Sequence, residues 1–225
     1  MRQSLDTVGA CAGPLLAVAF MAVLAGDIRA VLWVAVLPAA LSVLLLVLGV
    51  EEQRRPQATA PARPPLRLAD LRRLGAAYWW VVAVGGALTL ARFSNAFLVL
   101  RAQDVGLRIG LVPLVMVVMS AVYALSSYPT GVLADRTDRR TLMGLGFGVL
   151  ILADLVLALA HGVGMVMLGA ALWGLHMGLT QGLLATLVAD ASPPELRGSA
   201  FGLFNLVGGL MLLAASVTAG ALWEV

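Results

Sequence analysis

The sequence contains no lysine; all 15 basic residues are arginines. That absence excludes a retinal-type Schiff base and a Walker-type phosphate loop, because both need a lysine amine. Cysteine is almost as scarce. The lone Cys11 cannot form an internal disulfide and lies in an apolar run, so redox and thiolate–metal chemistry have no apparatus. Charge is thin as well: 12% of the 225 residues are charged, against about 25% in ordinary soluble domains. With 61% hydrophobic residues and a mean hydropathy of +0.97, the class that remains is an all-α membrane protein. No H-E-x-x-H, G-x-S-x-G or G-x-G-D string occurs, so the chain is not read as an enzyme. No catalytic residue, cofactor or metal is assigned.

Seven hydrophobic runs stand out, near 6–25, 29–49, 76–99, 109–132, 142–160, 164–188 and 200–222. Each is long enough to cross a bilayer, and short connections such as Gly26-Asp27 and His161-Gly162 predict antiparallel neighbours. The first run lacks the basic n-region and small-residue cleavage pattern of a signal peptide, so it is expected to remain as a span. Residues 50–75 break the pattern with four of the ten prolines and six arginines. Its last third, Leu66 to Leu74, reads either as a short basic helix on anionic headgroups or as a solvated linker.

The arginines set an orientation. With the N-terminus inside, the inner loops hold eleven: Arg2, six in the linker, Arg136, Arg139, Arg140 and Arg197. The outer loops hold Arg29, Arg101 and Arg108, and Arg92 lies within a span. This bias predicts a multi-pass protein of the cell (inner or plasma) membrane, N-terminus cytoplasmic and C-terminus outside. Basic residues spread over membrane-facing loops also argue against nucleic acid as a partner.

Three strings carry more than hydropathy. GVLADRTDRRTLM, 131–143, joins the fourth and fifth runs. There Gly131 permits close backbone approach, Asp135 can accept charge-assisted hydrogen bonds, and Arg136, Arg139 and Arg140 hold the loop at the inner surface. Gly9-x-x-x-Gly13-Pro14 places two glycines at i,i+4, a smooth strip for helix packing, followed by a bend. Ser192-Pro-Pro-Glu195 fits a capping box that starts a helix at the inner surface, followed by Arg197, Gly198, Phe201 and Gly202. Asn205-Leu-Val-Gly208 echoes Asp6-Thr-Val-Gly9 at an offset near 200 residues, the spacing of two tandem six-helix repeats.

The 131–143 string resembles the loop signature of the major facilitator superfamily, roughly G-x-L-A-D-R-x-G-R-[KR], with Asp138 where the second glycine usually stands. The first span resembles that superfamily's fifth helix, and its Gly-Pro string is similar to part of the helix motif of proton-coupled exporters. A generic packing face with a proline kink is the other reading of that string. The R-G-x-x-F-G string resembles the loop before the eleventh helix. The resemblance implies an MFS-type helical bundle of about seven spans, corresponding to helices five to eleven of a twelve-helix fold. Residues 1–49 would be the last two helices of the N-terminal half, 50–75 the central linker, and 76–225 the first five helices of the C-terminal half. The implied function is secondary active transport, a proton-coupled antiporter-type efflux of small, largely apolar or cationic compounds. Its partners would be the bilayer, the substrate, protons and the missing helices of the same transporter. The alternatives are a transport-inactive fragment and a non-transport seven-helix membrane protein.

Ionisable groups at membrane depth cost about 2.5–3.5 kcal/mol on insertion scales and are functional candidates by default. Thr89, Arg92 and Asn95 would share one face of the third span, and Asp154 lies at similar depth in the fifth. Arg92 and Asp154 are expected to approach one another, as a structural ion pair or as a substrate or proton-coupling element. Gly174, Gly178 and Gly182 form a packing strip on the sixth span, with His176, Thr180 and Gln181 opposite as a cavity lining. A hydrogen-bonded structural histidine is the other reading of His176. Asp190 and Glu195 are expected to pair with Arg136 to Arg140 in an inner gate beside Arg197.

Overall fold

The computed structural model describes residues 2–49, 73–92 and 94–223. Most of the linker and the side chains of Cys11 and Asp6 lie outside what is described, as does nearly all of the basic helix expected over 66–74. Long apolar runs become helices, which carry through Pro14, Pro38 and Pro129. They are α1 (Arg2–Val23), α2 (Ile28–Gly49), α3 (Ala76–Ala91), α4 (Ala96–Asp104), α5 (Pro113–Ala134), α6 (Arg139–Ala158), α7 (Val163–Asp190) and α8 (Arg197–Trp223). Among the described residues six spans are long and apolar enough to cross a membrane, α3 and α4 counting as one, and the apolar helical stretch Ala12–Val23 is shorter. Proline opens α5 at Pro113, where its missing N–H costs nothing. Between α1 and α2, Ala25 and Gly26 take positive φ, and Asp27 Oδ1 accepts from the amides of Arg29 and Ala30 to start α2.

The centre of the bundle is α7, which packs along α5 on one side and α6 on the other and touches α3 and α8. The packing depends on missing β-carbons. A Cβ on Gly174 would run into the backbone carbonyl of Met119, and one on Gly178 into Ser126 Oγ, so α5 and α7 meet at backbone distance. The expected strip ends early: a Cβ on Gly182 would meet nothing within 4 Å. On the other side a Cβ on Gly146 would collide with the Thr180 methyl, so α6 and α7 meet just as closely. Around these crossings lies the main core, with Trp173, Val166 and Ala170 of α7 against Val115, Met119, Leu150 and Leu157.

The second unit of packing is α3 with α8. Buried Tyr78 donates its hydroxyl to the Ala200 carbonyl at 2.9 Å, and Leu74, Val82, Val188 and Leu196 close around it. On the other flank, α1 packs on α5, and Met21 meets Gly110 beside the short turn before α5. Nothing in α2 is buried, and Leu44 to Leu48 are all more than half exposed, a surface suited to hydrocarbon.

Three expectations are corrected here. The third span is not continuous: it breaks between Ala91 and Ala96 and runs on to Asp104. The Gly9–Gly13 strip packs on no described neighbour, since a Cβ at either would meet nothing within 4 Å, and α1 runs through Pro14 uninterrupted. Ser192 does not form a capping box. Its hydroxyl turns back to the Val188 carbonyl at 2.5 Å and closes α7, while Pro193 precedes a single 3-10 turn leading into α8.

The glycine crossings predict unequal effects of one methyl group. Gly174→Ala should lower the stability of the detergent-purified protein by about 1–3 kcal/mol, because a backbone carbonyl cannot rotate away. Gly182→Ala, in open space, should gain up to ~1 kcal/mol in helix propensity. Thermal melts of both variants check this, and equal melting points would refute the crossing geometry.

Candidate functional site

At one end of the bundle α5 stops at Ala134, Asp135 caps it in helical conformation, and α6 begins at Arg139. Asp138 takes φ −60° and ψ 126°, ordinary backbone for any residue, so an aspartate replaces the usual glycine here without strain. Arg139 Nη1 donates to Asp190 Oδ2 at 2.5 Å, joining the start of α6 to the end of α7. Of the expected network only this pair forms; Arg136, Arg140, Glu195 and Arg197 are in no ion pair with a described residue. Both partners are about half exposed, and such a pair is worth about 0–1 kcal/mol. It is weak enough to open and close.

Beside the pair a cavity of about 380 Å³ opens between α5 and α7. Tyr123, Ser127, Thr130 and Thr186 line it, with Asp135 and Arg139 at its charged end. Gly131 and Gly182 also border it. Gly131 is therefore not a point of close backbone approach, as expected from sequence; a Cβ there would meet nothing within 4 Å.

Deeper in the bundle, the third span breaks. Arg92 leaves the helix in extended conformation, φ −101° and ψ 99°, about 24 Å along from Ala76 at 1.5 Å per residue. Ser94 starts α4: its Oγ accepts from the Ala96 amide at 3.3 Å and its carbonyl from the Phe97 amide at 3.0 Å. Ser and Asn in ARFSN compete for backbone hydrogen bonds and favour such interruptions, the signal that the hydropathy reading passed over. Thr89, Arg92 and Asn95 consequently share no helix face, and Thr89 Oγ1 bonds back to Gly85 at 2.8 Å.

His176 is fully buried between α6 and α7. Its Nδ1–H donates to the Gly146 carbonyl at 2.8 Å, a carbonyl being an acceptor only, and Nε2 has no hydrogen-bond partner. Thr180 Oγ1 donates to the His176 carbonyl at 2.9 Å. The face carrying these two residues is thus a packing face against Gly146, not a cavity lining; Gln181 beside it is half-buried.

Asp154 and Arg92 form no ion pair with one another. Asp154 instead borders a cavity of about 480 Å³ between α4, α6 and the end of α8, with one carboxylate oxygen buried and unpartnered. Arg101 lines the same cavity. Counted from sequence as an outer-loop charge, it is a helical residue that locks α4 to α6: Nε and Nη2 donate to the carbonyls of Leu157 and Ala160 at 3.2 and 2.8 Å, and Nη1 pairs with Asp104. Cationic donors on a helix's last carbonyls are favoured by their orphaned lone pairs and the helix dipole.

Comparison with known proteins decides what class of molecule carries this arrangement. The sequence profile of the Major Facilitator Superfamily matches residues 1–216. The chain belongs to the major facilitator superfamily. It is 27% identical over 232 residues to a Methanocaldococcus jannaschii protein described as an uncharacterized MFS-type transporter, covering 100% of this chain and 57% of that one. Uncharacterized proteins of Mycobacterium bovis and Mycobacterium tuberculosis are each 27% identical over 230 residues, covering 100% of this chain and 56% of theirs. The chain spans just over half the length of these relatives. No solved structure matches it.

In this superfamily chain the polar groups described fall into separate places: the Arg139–Asp190 pair at one end, Arg92 at the helix break, His176 between α6 and α7, and Asp154 with Arg101 at the cavity beside α4. Arg101 tests the last of these. Arg101→Gln should leave the last carbonyls of α6 short of donors at a cost of about 1.5–3 kcal/mol. Hydrogen exchange over residues 155–165 should then quicken by roughly tenfold or more. Unchanged exchange there would show that the α4–α6 lock is not formed.

Proposed function

We propose that this chain works as part of a secondary active transporter that exports small molecules across the cell membrane by alternating access, driven by proton exchange. The observation that carries the reading is the Arg139–Asp190 pair, formed by a superfamily loop string across the gap between α6 and α7. A surface pair of about 0–1 kcal/mol favours one state without freezing it, as a latch must. In this reading the 131–143 loop is cytoplasmic, the N-terminus lies inside and the C-terminus outside. The arginine bias supports that orientation.

Residues 1–49 are read as the last two helices of one half, 50–75 as the central linker and 76–225 as the first helices of the other. The packing supports this, because 1–49 meet the remaining described chain mainly through α1 on α5. Gly9 and Gly13, open on α1, would then receive helices of the first half. Arg92, Asn95, Asp154, His176 and Gln181 remain the candidates for substrate contact or proton coupling. A break within a membrane-spanning helix favours that role, since irregular backbone at such depth is tolerated where it is buried in protein or lines a cavity.

The alternative reading, that the 225 residues transport nothing by themselves, is favoured by coverage of just over half of each relative. Dye efflux from cells expressing the 225 residues alone separates the two, and efflux only from a chain completed with a relative's missing helices supports the alternative. In whichever form is active, Asp190→Arg or Arg139→Asp should each cut efflux severalfold with insertion intact, and the double exchange should restore it. Asp135→Asn should also reduce transport. Efflux indifferent to uncouplers would remove proton exchange, and a double exchange no better than either single variant would remove the latch.

A further inference from the structure

Another cavity, about 830 Å³, lies between α3, α6 and α7 and touches the transport reading only at Arg139. It begins where Arg139 and Arg140 open α6 and Ala77 opens α3, and it follows both helices inward for two turns. At 1.5 Å per residue, Ala77 to Val84 spans roughly 10 Å of membrane depth. Beyond the arginines the walls are apolar: Trp80, Val81, Val84, Met143, Phe147 and Leu184. No acidic residue lines it among the described residues. Trp80 stands 72% exposed at its edge, in the first turn or so of α3 where interfacial tryptophans sit.

Cationic at the membrane surface and apolar below, the cavity has the polarity of a phospholipid read from headgroup to chain. We infer that it is a binding site for an anionic phospholipid, whose phosphate meets Arg139 and Arg140 while an acyl chain lies along Trp80, Val84, Met143 and Phe147. Charge complementarity selects this occupant. Arg140 has no described ion-pair partner, and a neutral chain or helix seated here would leave it uncompensated at the groove mouth. Gly144, on the groove wall, leaves room for the chain: a Cβ there would meet nothing within 4 Å. Because Arg139 also holds Asp190, a bound phosphate shares its guanidinium with that pair and couples lipid charge to the α6–α7 contact.

Lipid retention is measured on the purified chain without any transport assay, so its outcome stands apart from the transport reading and from membrane orientation. Native mass spectrometry of the protein titrated with phosphatidylglycerol, against phosphatidylcholine of the same acyl chains, reads it directly. The anionic lipid should be retained about tenfold better, and Arg140→Gln should lower its retention about fivefold, the worth of one arginine at a charged surface. Arg136→Gln, in the same loop but outside the groove, should leave retention within twofold. Gly144→Leu should abolish the preference while the melting point holds or rises, because it fills the groove without touching charge or packing. Equal retention of both lipids, equal losses at Arg136 and Arg140, or a Gly144→Leu variant that still prefers phosphatidylglycerol would each overturn the site. The last result would mean that protein covers the groove and the lipid sits elsewhere.

Discussion

Everything central in this bundle depends on how closely α7 can approach its two neighbours. Within hydrocarbon, apolar side chains gain nothing by leaving lipid for protein, so helix association rests on packing and internal hydrogen bonds. Gly174 and Gly178 bring α7 against the backbone of α5, and Gly146 brings α6 against α7. Only at that separation can the His176 ring reach the Gly146 carbonyl at 2.8 Å. The buried histidine therefore owes its partner to a glycine on another helix, and the polar and small-residue contacts are one feature seen from two sides.

The same constraint explains what could be read in advance. Hydropathy located six segments that are long and apolar enough to cross a membrane among the described residues, and a seventh whose apolar stretch, Ala12–Val23, is shorter, because a span is a property of local composition. It did not see the interruption between Ala91 and Ala96, since apolar residues resume at once with Ala96 to Leu100 and the short polar string is averaged away. Nor could it assign faces. In water, exposed apolar residues are the exception and periodicity reveals the core; in lipid both sides of a helix are apolar, and α2 shows no buried residue in 22. Small residues carry the directional signal instead. That is why the Gly174–Gly178 strip was legible, whereas Gly9–Gly13 pointed to a surface that no described helix covers.

Charged residues divided in the same way. Arg139 and Asp190 could be paired from sequence because both fall at helix ends on one membrane side, where few partners compete. The pairing of Arg92 with Asp154 failed because depth along two helices says nothing of the angle around them. The break at Arg92 moves that side chain off the helix axis altogether. Arg101 was misassigned for the complementary reason. The continuation of the span past residue 99 turned a loop charge into a helical residue whose donors satisfy two carbonyls at the end of α6.

These assignments place stability and responsiveness in different parts of the molecule. The contacts that are hard to lose are short, buried and carry no net charge exchange: Tyr78 to Ala200, His176 to Gly146, and the glycine crossings. The contact that is easy to lose is the half-exposed Arg139–Asp190 pair, worth about 0–1 kcal/mol. A conformational change that rocks α6 against the end of α7 needs to break only the second kind. The hydroxyl-lined cavity beside that pair reaches as far as the crossing at Gly178, about three turns along α7 from Asp190. Under the proposed latch reading, opening the pair leaves these crossings intact, because no glycine contact or buried hydrogen bond of the centre involves Arg139 or Asp190.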